Sequence, residues 1–187
     1  MLTGLINVAE FLVAMVFGLY AFILLFRFFL QWVKVDFYNP LCQMIMKATN
    51  IMILPLRKLM PGFGGLDWSC IVAAYLIFVV ENLLLSVLKG IGINEIIIFA
   101  KPVMDIILAV INMYVYLIII RAISSWISRG GYNPALAMIN QVTEPLMARA
   151  RKLVPSTSGF DFSPIIVLVA LFCIQIFLQS FAAQLFG

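Results

Sequence analysis

Four long apolar runs decide the solvent in which this chain folds. Phe11 to Phe26, Ile106 to Ile120 and Phe162 to Gly187 carry no charged side chain, and Ile71 to Leu88 carries one, Glu81. Runs of this length, extended by a few residues, cross a hydrocarbon layer of about 30 Å as helices. A segment in lipid has to satisfy its own backbone polar groups, so it is either a helix or part of a closed barrel. The alternating segments of a barrel strand are missing, which leaves helices. Composition agrees: 65% hydrophobic against 11% charged residues is too little charge to cover a soluble domain. No basic residue precedes the first run, and it extends well past a signal-peptide core, so it is expected to persist as a helix.

The chain also repeats itself. An offset of 94 residues (121 − 27) aligns Arg27 with Arg121 and Trp32 with Trp126 without a gap. It aligns Tyr38-Asn39-Pro40 with Tyr132-Asn133-Pro134, and Thr49 with Thr143. Arg57-Lys58-Leu59 matches Arg151-Lys152-Leu153, and Pro61, Gly65, Asp67 and Ser69 match Pro155, Gly159, Asp161 and Ser163. Polar and turn residues held in one register mark a duplicated unit. The expected fold is an all-α membrane protein of four transmembrane helices, built as two tandem repeats over residues 1–94 and 95–187. Each repeat is a helix, a basic amphipathic loop or interfacial helix (about 36–66 and 129–161), and a second helix. Two crossings per unit make the repeats parallel, which predicts a pseudo-twofold along the membrane normal and excludes inverted repeats.

Lys and Arg are unevenly divided among the connections. The loop of the first unit holds Lys34, Lys47, Arg57 and Lys58, and that of the second Arg129, Arg149, Arg151 and Lys152. The central connection holds Lys89 and Lys101. The positive-inside rule therefore predicts cytoplasmic repeat loops and external termini.

Within each loop, Asn39-Pro40 and Asn133-Pro134 read as helix starts: Asn accepts from orphan N–H groups, and Pro at the first position has no N–H to leave unpaired. Leu41, Met44, Ile45 and Ala48 then recur at helical spacing, as do Leu136, Ile139, Val142 and Leu146. Each stripe is expected to face the acyl chains. Pro145 is expected to kink or end its helix, and Pro55 to end the other. The basic pairs Arg57-Lys58 and Arg151-Lys152 would touch anionic headgroups, a partner protein, or both. The following Pro-x3-Gly-x-Asp-x-Ser turn offers either Asp67 or Ser69 as the cap of the next helix, and either Asp161 or Ser163 in the second unit.

Some charged and polar side chains fall inside the apolar runs. Arg27 and Arg121 lie about 7–8 Å along the helix from Trp32 and Trp126. Each either snorkels to the interface or pairs with Asp67 or Asp161. Glu81 lies within the second helix of the first unit, either as a functional site or protonated and hydrogen-bonded to a neighbouring helix, and Gln175 occupies its position in the second unit. Glu10 and Asp105 are expected to complement the N-terminal dipoles of their helices. Cys42, Cys70 and Cys173 have no counterparts across the repeat and read as apolar residues rather than disulfide partners. The chain contains no histidine. That removes His-ligated zinc or haem and His-activated nucleophiles, and no metal-ligand spacing, nucleotide loop or nucleic-acid motif is present.

The doubled pattern Arg-x4-Trp-x5-Tyr-Asn-Pro followed by Arg-Lys-x2-Pro-x3-Gly-x-Asp-x-Ser resembles the YggT family of bacterial membrane proteins. The resemblance spans both units. The second, with Gly159-Phe160-Asp161-Phe162-Ser163-Pro164, follows the family pattern more closely. The first departs at Trp68-Ser69-Cys70 and lacks a proline matching Pro145. The resemblance implies a multi-pass protein of the bacterial inner membrane linked to osmotic stress tolerance and ion homeostasis. Relatives called YlmG are implied to act in cell division and envelope growth, and chloroplast relatives in assembling the haem of the cytochrome b6f complex.

Two function classes follow. The first is a non-enzymatic membrane scaffold or assembly factor, without cofactor or catalytic residues, whose partners are anionic lipids and either another membrane protein or a second copy. The alternative is an oligomeric conduit for K+ or a small solute, because four helices leave little room for a pore in one chain.

Overall fold

A computed structural model describes residues 2–60, 62, 64–90, 92, 94–127, 133–153 and 161–186. Every regular element among them is an α-helix: α1 (Leu2–Trp32), α2 (Pro40–Leu59), α3 (Ser69–Lys89), α4 (Glu95–Phe99), α5 (Lys101–Ile127), α6 (Pro134–Leu153) and α7 (Ser163–Phe186). Four stretches are long and apolar enough to cross a membrane: Thr3–Trp32, Ser69–Lys89, Glu95–Ser125 and Ser163–Phe186. They fall on α1, α3, the α4–α5 segment and α7, so the expected four-helix membrane fold is the one found.

The helices pair within units. α1 packs along α3 and α5 along α7, while α2 and α6 lie against the pairs. The shared core contains Leu24, Leu25, Ile53, Met113, Ile118, Val142 and Met147, all fully buried. The long helices are apolar all round, as lipid solvation permits, whereas α2 and α6 are amphipathic.

The structure differs from the sequence expectations in three respects. The stripes of the amphipathic helices do not simply face lipid. Leu41, Ile45 and Leu146 pack against the core, Leu136 is half-buried, and Ile139 and Val142 are buried in the core, while Met44 and Ala48 turn outward. The spans offer these side chains an apolar, close-packed surface, which supplies dispersion contacts that fluid lipid matches less well. Neither Pro55 nor Pro145 ends its helix; both lie inside it. Finally, the two hairpins do not stand level. By the repeat register Tyr114 corresponds to Tyr20, yet its ring packs edge-on against Phe29 at 5.3 Å. Tyr20 and Phe29 are about 13 Å apart along the axis, so the units slide or cross past each other instead of matching about a simple twofold.

The connection between the two units also folds inward. Tyr75 lies about four turns, or ~21 Å of rise, before the end of α3 at Lys89. Its hydroxyl donates to the Phe99 carbonyl at 2.9 Å. The α4–α5 corner therefore runs alongside α3 and not beyond its end.

Candidate functional site

Each amphipathic helix starts as its sequence dictates. The Asn39 side chain accepts from the Leu41 N–H at 2.9 Å, and the Asn133 side chain from the Ala135 N–H at 2.9 Å, with Pro40 and Pro134 at the first helical position. Asn39 also ties the units together by donating to the Pro134 carbonyl at 2.9 Å. One turn further on, the Cys42 thiol contacts the Met138 sulfur at 3.3 Å. Burial, and then the Asp36 carboxylate, raise that thiol above its ordinary pKa and keep it a neutral S–H donor.

The membrane arginines fasten these helices to the spans. Arg27 is 3% exposed. Its Nη1 donates to Thr49 Oγ1 at 2.6 Å, to Asn50 Oδ1 at 2.9 Å and to the Met46 carbonyl at 3.4 Å. The second unit repeats the arrangement. Arg121 Nη1 donates to Thr143 Oγ1 at 2.8 Å and to the Asn140 carbonyl at 3.4 Å, and its Nη2 donates to Glu144 at 2.7 Å. Each threonine in turn donates to a carbonyl of its own helix, Ile45 at 2.7 Å or Ile139 at 2.8 Å. Both threonines are fully buried. The hydroxyl thus turns an unsatisfied guanidinium N–H into a bond to the docked helix, where leaving it unpaired would be costly. Thr49 and Thr143 were visible as a repeat match; nothing in either local sequence set them apart from an ordinary helical threonine.

The acidic partners differ between units. Asp67 is buried and held by Arg57, which donates from Nε at 2.6 Å and also from Nη2. Arg27 Nη2 stands 3.9 Å from the same carboxylate oxygen, within ion-pair range but without a hydrogen bond. Gln31 clamps the loop, accepting from the Asp67 N–H at 3.1 Å and donating to the Gly65 carbonyl at 3.0 Å. Gly65 has φ +76, a left-handed conformation that favours glycine. In the second unit Arg121 and Arg151 share Glu144, at 2.7 and 2.5 Å, and Glu144 occupies the repeat position of Asn50. Asp161 instead caps α7, accepting from the Ser163 N–H at 2.9 Å and from its hydroxyl. Burial pushes the Asp161 carboxyl up, but these bonds, with Arg151 and Arg121 nearby, hold it below its ordinary value. The cap of α3 is Trp68, which makes no side-chain capping bond, so neither Asp67 nor Ser69 caps it.

The basic pairs are therefore divided in role. Arg57 and Arg151 are engaged in ion pairs, whereas Lys58 and Lys152 are exposed. Tyr38 is exposed and Trp32 packs on Phe29 at 5.4 Å. Pro61, Tyr132, Pro155 and Gly159 lie outside the described residues, as does the side chain of Trp126.

A second polar group lies between α3 and α5. Lys101 Nζ donates to Asn82 Oδ1 at 3.0 Å and to both oxygens of Asp105, at 3.0 and 2.9 Å. Asn82 also donates to Asp105 at 3.0 Å. Asp105 thus serves a lysine and an amide, and Glu10 pairs with Lys89 at 3.4 Å, so the expected dipole roles give way to side-chain partners. Glu81 Oε2 and Gln175 Oε1, at matching repeat positions, are both buried without a hydrogen-bond partner.

Comparison with known proteins fits this doubled architecture. No solved structure matches the chain. An uncharacterized protein of Pseudomonas aeruginosa is 37% identical over 186 residues, covering 98% of this chain and 94% of its own. The uncharacterized protein YggT of Escherichia coli is 33% identical over 174 residues, covering 90% and 88%. An uncharacterized protein of Haemophilus influenzae is 31% identical over 172 residues, covering 92% and 90%. The model of one family matches residues 6–88 and again residues 100–182, once per repeat, and the chain belongs to that family, CCB3/YggT.

Proposed function

We propose that this protein is a non-enzymatic scaffold or assembly factor of the bacterial inner membrane, acting in osmotic stress tolerance and ion homeostasis. The observation that carries the reading is the twin Arg–Thr attachment of α2 and α6 to the spans. Headgroup binding alone needs no buried guanidinium, because an interfacial helix finds its depth by partitioning. Fixing two such helices by hydrogen bonds presents their outer faces as one platform. On α2 that face carries Met44, Ile51 and Leu54 beside Lys47 and Lys58, an apolar patch with basic flanks. It suits anionic lipid together with a membrane-protein partner or a second copy. The eight-to-two division of Lys and Arg favours a cytoplasmic platform and external termini.

A conduit is less well supported. Leu24, Leu25, Met113 and Ile118 fill the centre of one chain with fully buried apolar side chains, so a path would need several copies. The test combines two measurements on the full chain. Photocrosslinkers at Ile51 and Gln141 in living cells should capture discrete membrane-protein bands that change on osmotic upshift, and purified protein in liposomes should leave K+ flux at the empty-vesicle level. Reproducible K+ flux, or crosslinks to lipid alone, would overturn the scaffold reading.

A further inference from the structure

A cavity of ≈ 560 Å³ lies between α1, α3 and α5. Gly18, Phe22 and Phe78 form part of its apolar wall, and Glu81, Lys101 and Asp105 its polar end. A Cβ added at Gly18 would meet nothing within 4 Å, so this wall faces open space.

The polar end holds one acidic side chain without a hydrogen-bond partner. Lys101 uses three donor contacts on Asn82 and Asp105, and its charge is balanced by Asp105. Glu81 stands outside that closed group, with Oε2 buried and without a partner. A cationic hydrogen-bond donor placed there would satisfy this oxygen and hold the group as a carboxylate. A bare metal ion is a poor occupant, because a hard cation needs several oxygen ligands and the remaining wall is largely apolar. The volume is that of a site for a small organic molecule, with a few polar groups fixing its orientation.

We infer that this cavity binds an organic ammonium with an apolar body, its ammonium group on Glu81 and its body along α1. Such a head occurs both on a membrane lipid, phosphatidylethanolamine, and on a free lipophilic amine.

The test uses a decylammonium probe carrying a diazirine in its tail, with the full chain in nonionic detergent and labelled peptides mapped by mass spectrometry. Labelling should concentrate on α1 around Gly18 to Phe22 and on α3 around Phe78. Unlabelled decylammonium should compete, and decanol, which has the same tail without the charge, should not. Glu81→Gln removes the charge and Gly18→Leu fills the cavity; each should weaken binding by roughly tenfold or more. Gly18→Leu replaces a helical glycine facing open space, so its melting temperature should not fall, and it carries the test if Glu81→Gln misfolds. Competition by added phosphatidylethanolamine identifies the lipid as the source, and its failure identifies a free amine. Equal competition by decanol, or wild-type binding in either folded variant, overturns the assignment.

Discussion

Arg57 Nε lies 2.6 Å from Asp67 Oδ2, while the more deeply buried Arg27 stands 3.9 Å from the same oxygen. One carboxylate thus serves two arginines of unequal exposure: the Arg57 side chain is 42% exposed and that of Arg27 4%. Removing Asp67 strands a buried guanidinium, whereas removing Arg57 leaves Asp67 with Arg27 as a counter-charge. Asp67→Asn should therefore destabilise the fold by about 3–5 kcal/mol, and Arg57→Gln by about 1–3 kcal/mol. Unfolding of the two variants in detergent checks the order. Equal losses would mean that Arg27 does not depend on Asp67.

In the second unit the corresponding aspartate works locally. Asp161→Ala should cost about 1 kcal/mol, the usual worth of a helix cap. The folded carboxyl is held below its ordinary value, so its contribution is present above pH ~4 and fades as pH falls. The stability gap between wild type and Asp161→Ala should therefore narrow in acid, as thermal melting across that range would reveal. A gap that widens on acidification would contradict the cap.

Orientation can be read by labelling. With Cys42, Cys70 and Cys173 replaced, a cysteine at the exposed Lys58 position should resist an impermeant thiol reagent in intact cells and react after permeabilisation. A cysteine at the exposed Glu95 position, on the connection between the units, should behave in the opposite way. Labelling of the Lys58 position from outside would reverse the topology.

Much of the fold was legible because lipid leaves few alternatives: long uncharged runs become helices, and the repeated Asn-Pro marks helix starts that the structure keeps at Asn39 and Asn133. What stayed hidden depends on packing across the fold. Thr49 and Thr143 looked like ordinary helical threonines until Arg27 and Arg121 reached them from another helix. Arg57 read as a surface cation because its partner, Asp67, is brought to it by a turn ten residues later. The inward fold at Tyr75 and Phe99 left no trace in hydropathy, since an apolar connection beside a span looks the same as the span. Glu144 also escaped notice: its counterpart Asn50 is neutral, so the repeat did not mark the position as charged.

The buried threonine–arginine bonds hold each amphipathic helix to its own hairpin. Hydrogen exchange on the full chain in lipid nanodiscs, comparing wild type with Thr49→Val and Thr143→Val, tests this directly. Valine keeps the shape and removes the acceptor, so the loss is one charge-assisted hydrogen bond, about 1.5–3 kcal/mol. Thr49→Val should raise exchange across α2 by roughly tenfold or more while α6 keeps its protection, and Thr143→Val should do the reverse. Wild-type protection of α2 and α6 in both variants would mean that these bonds do not hold the helices in place.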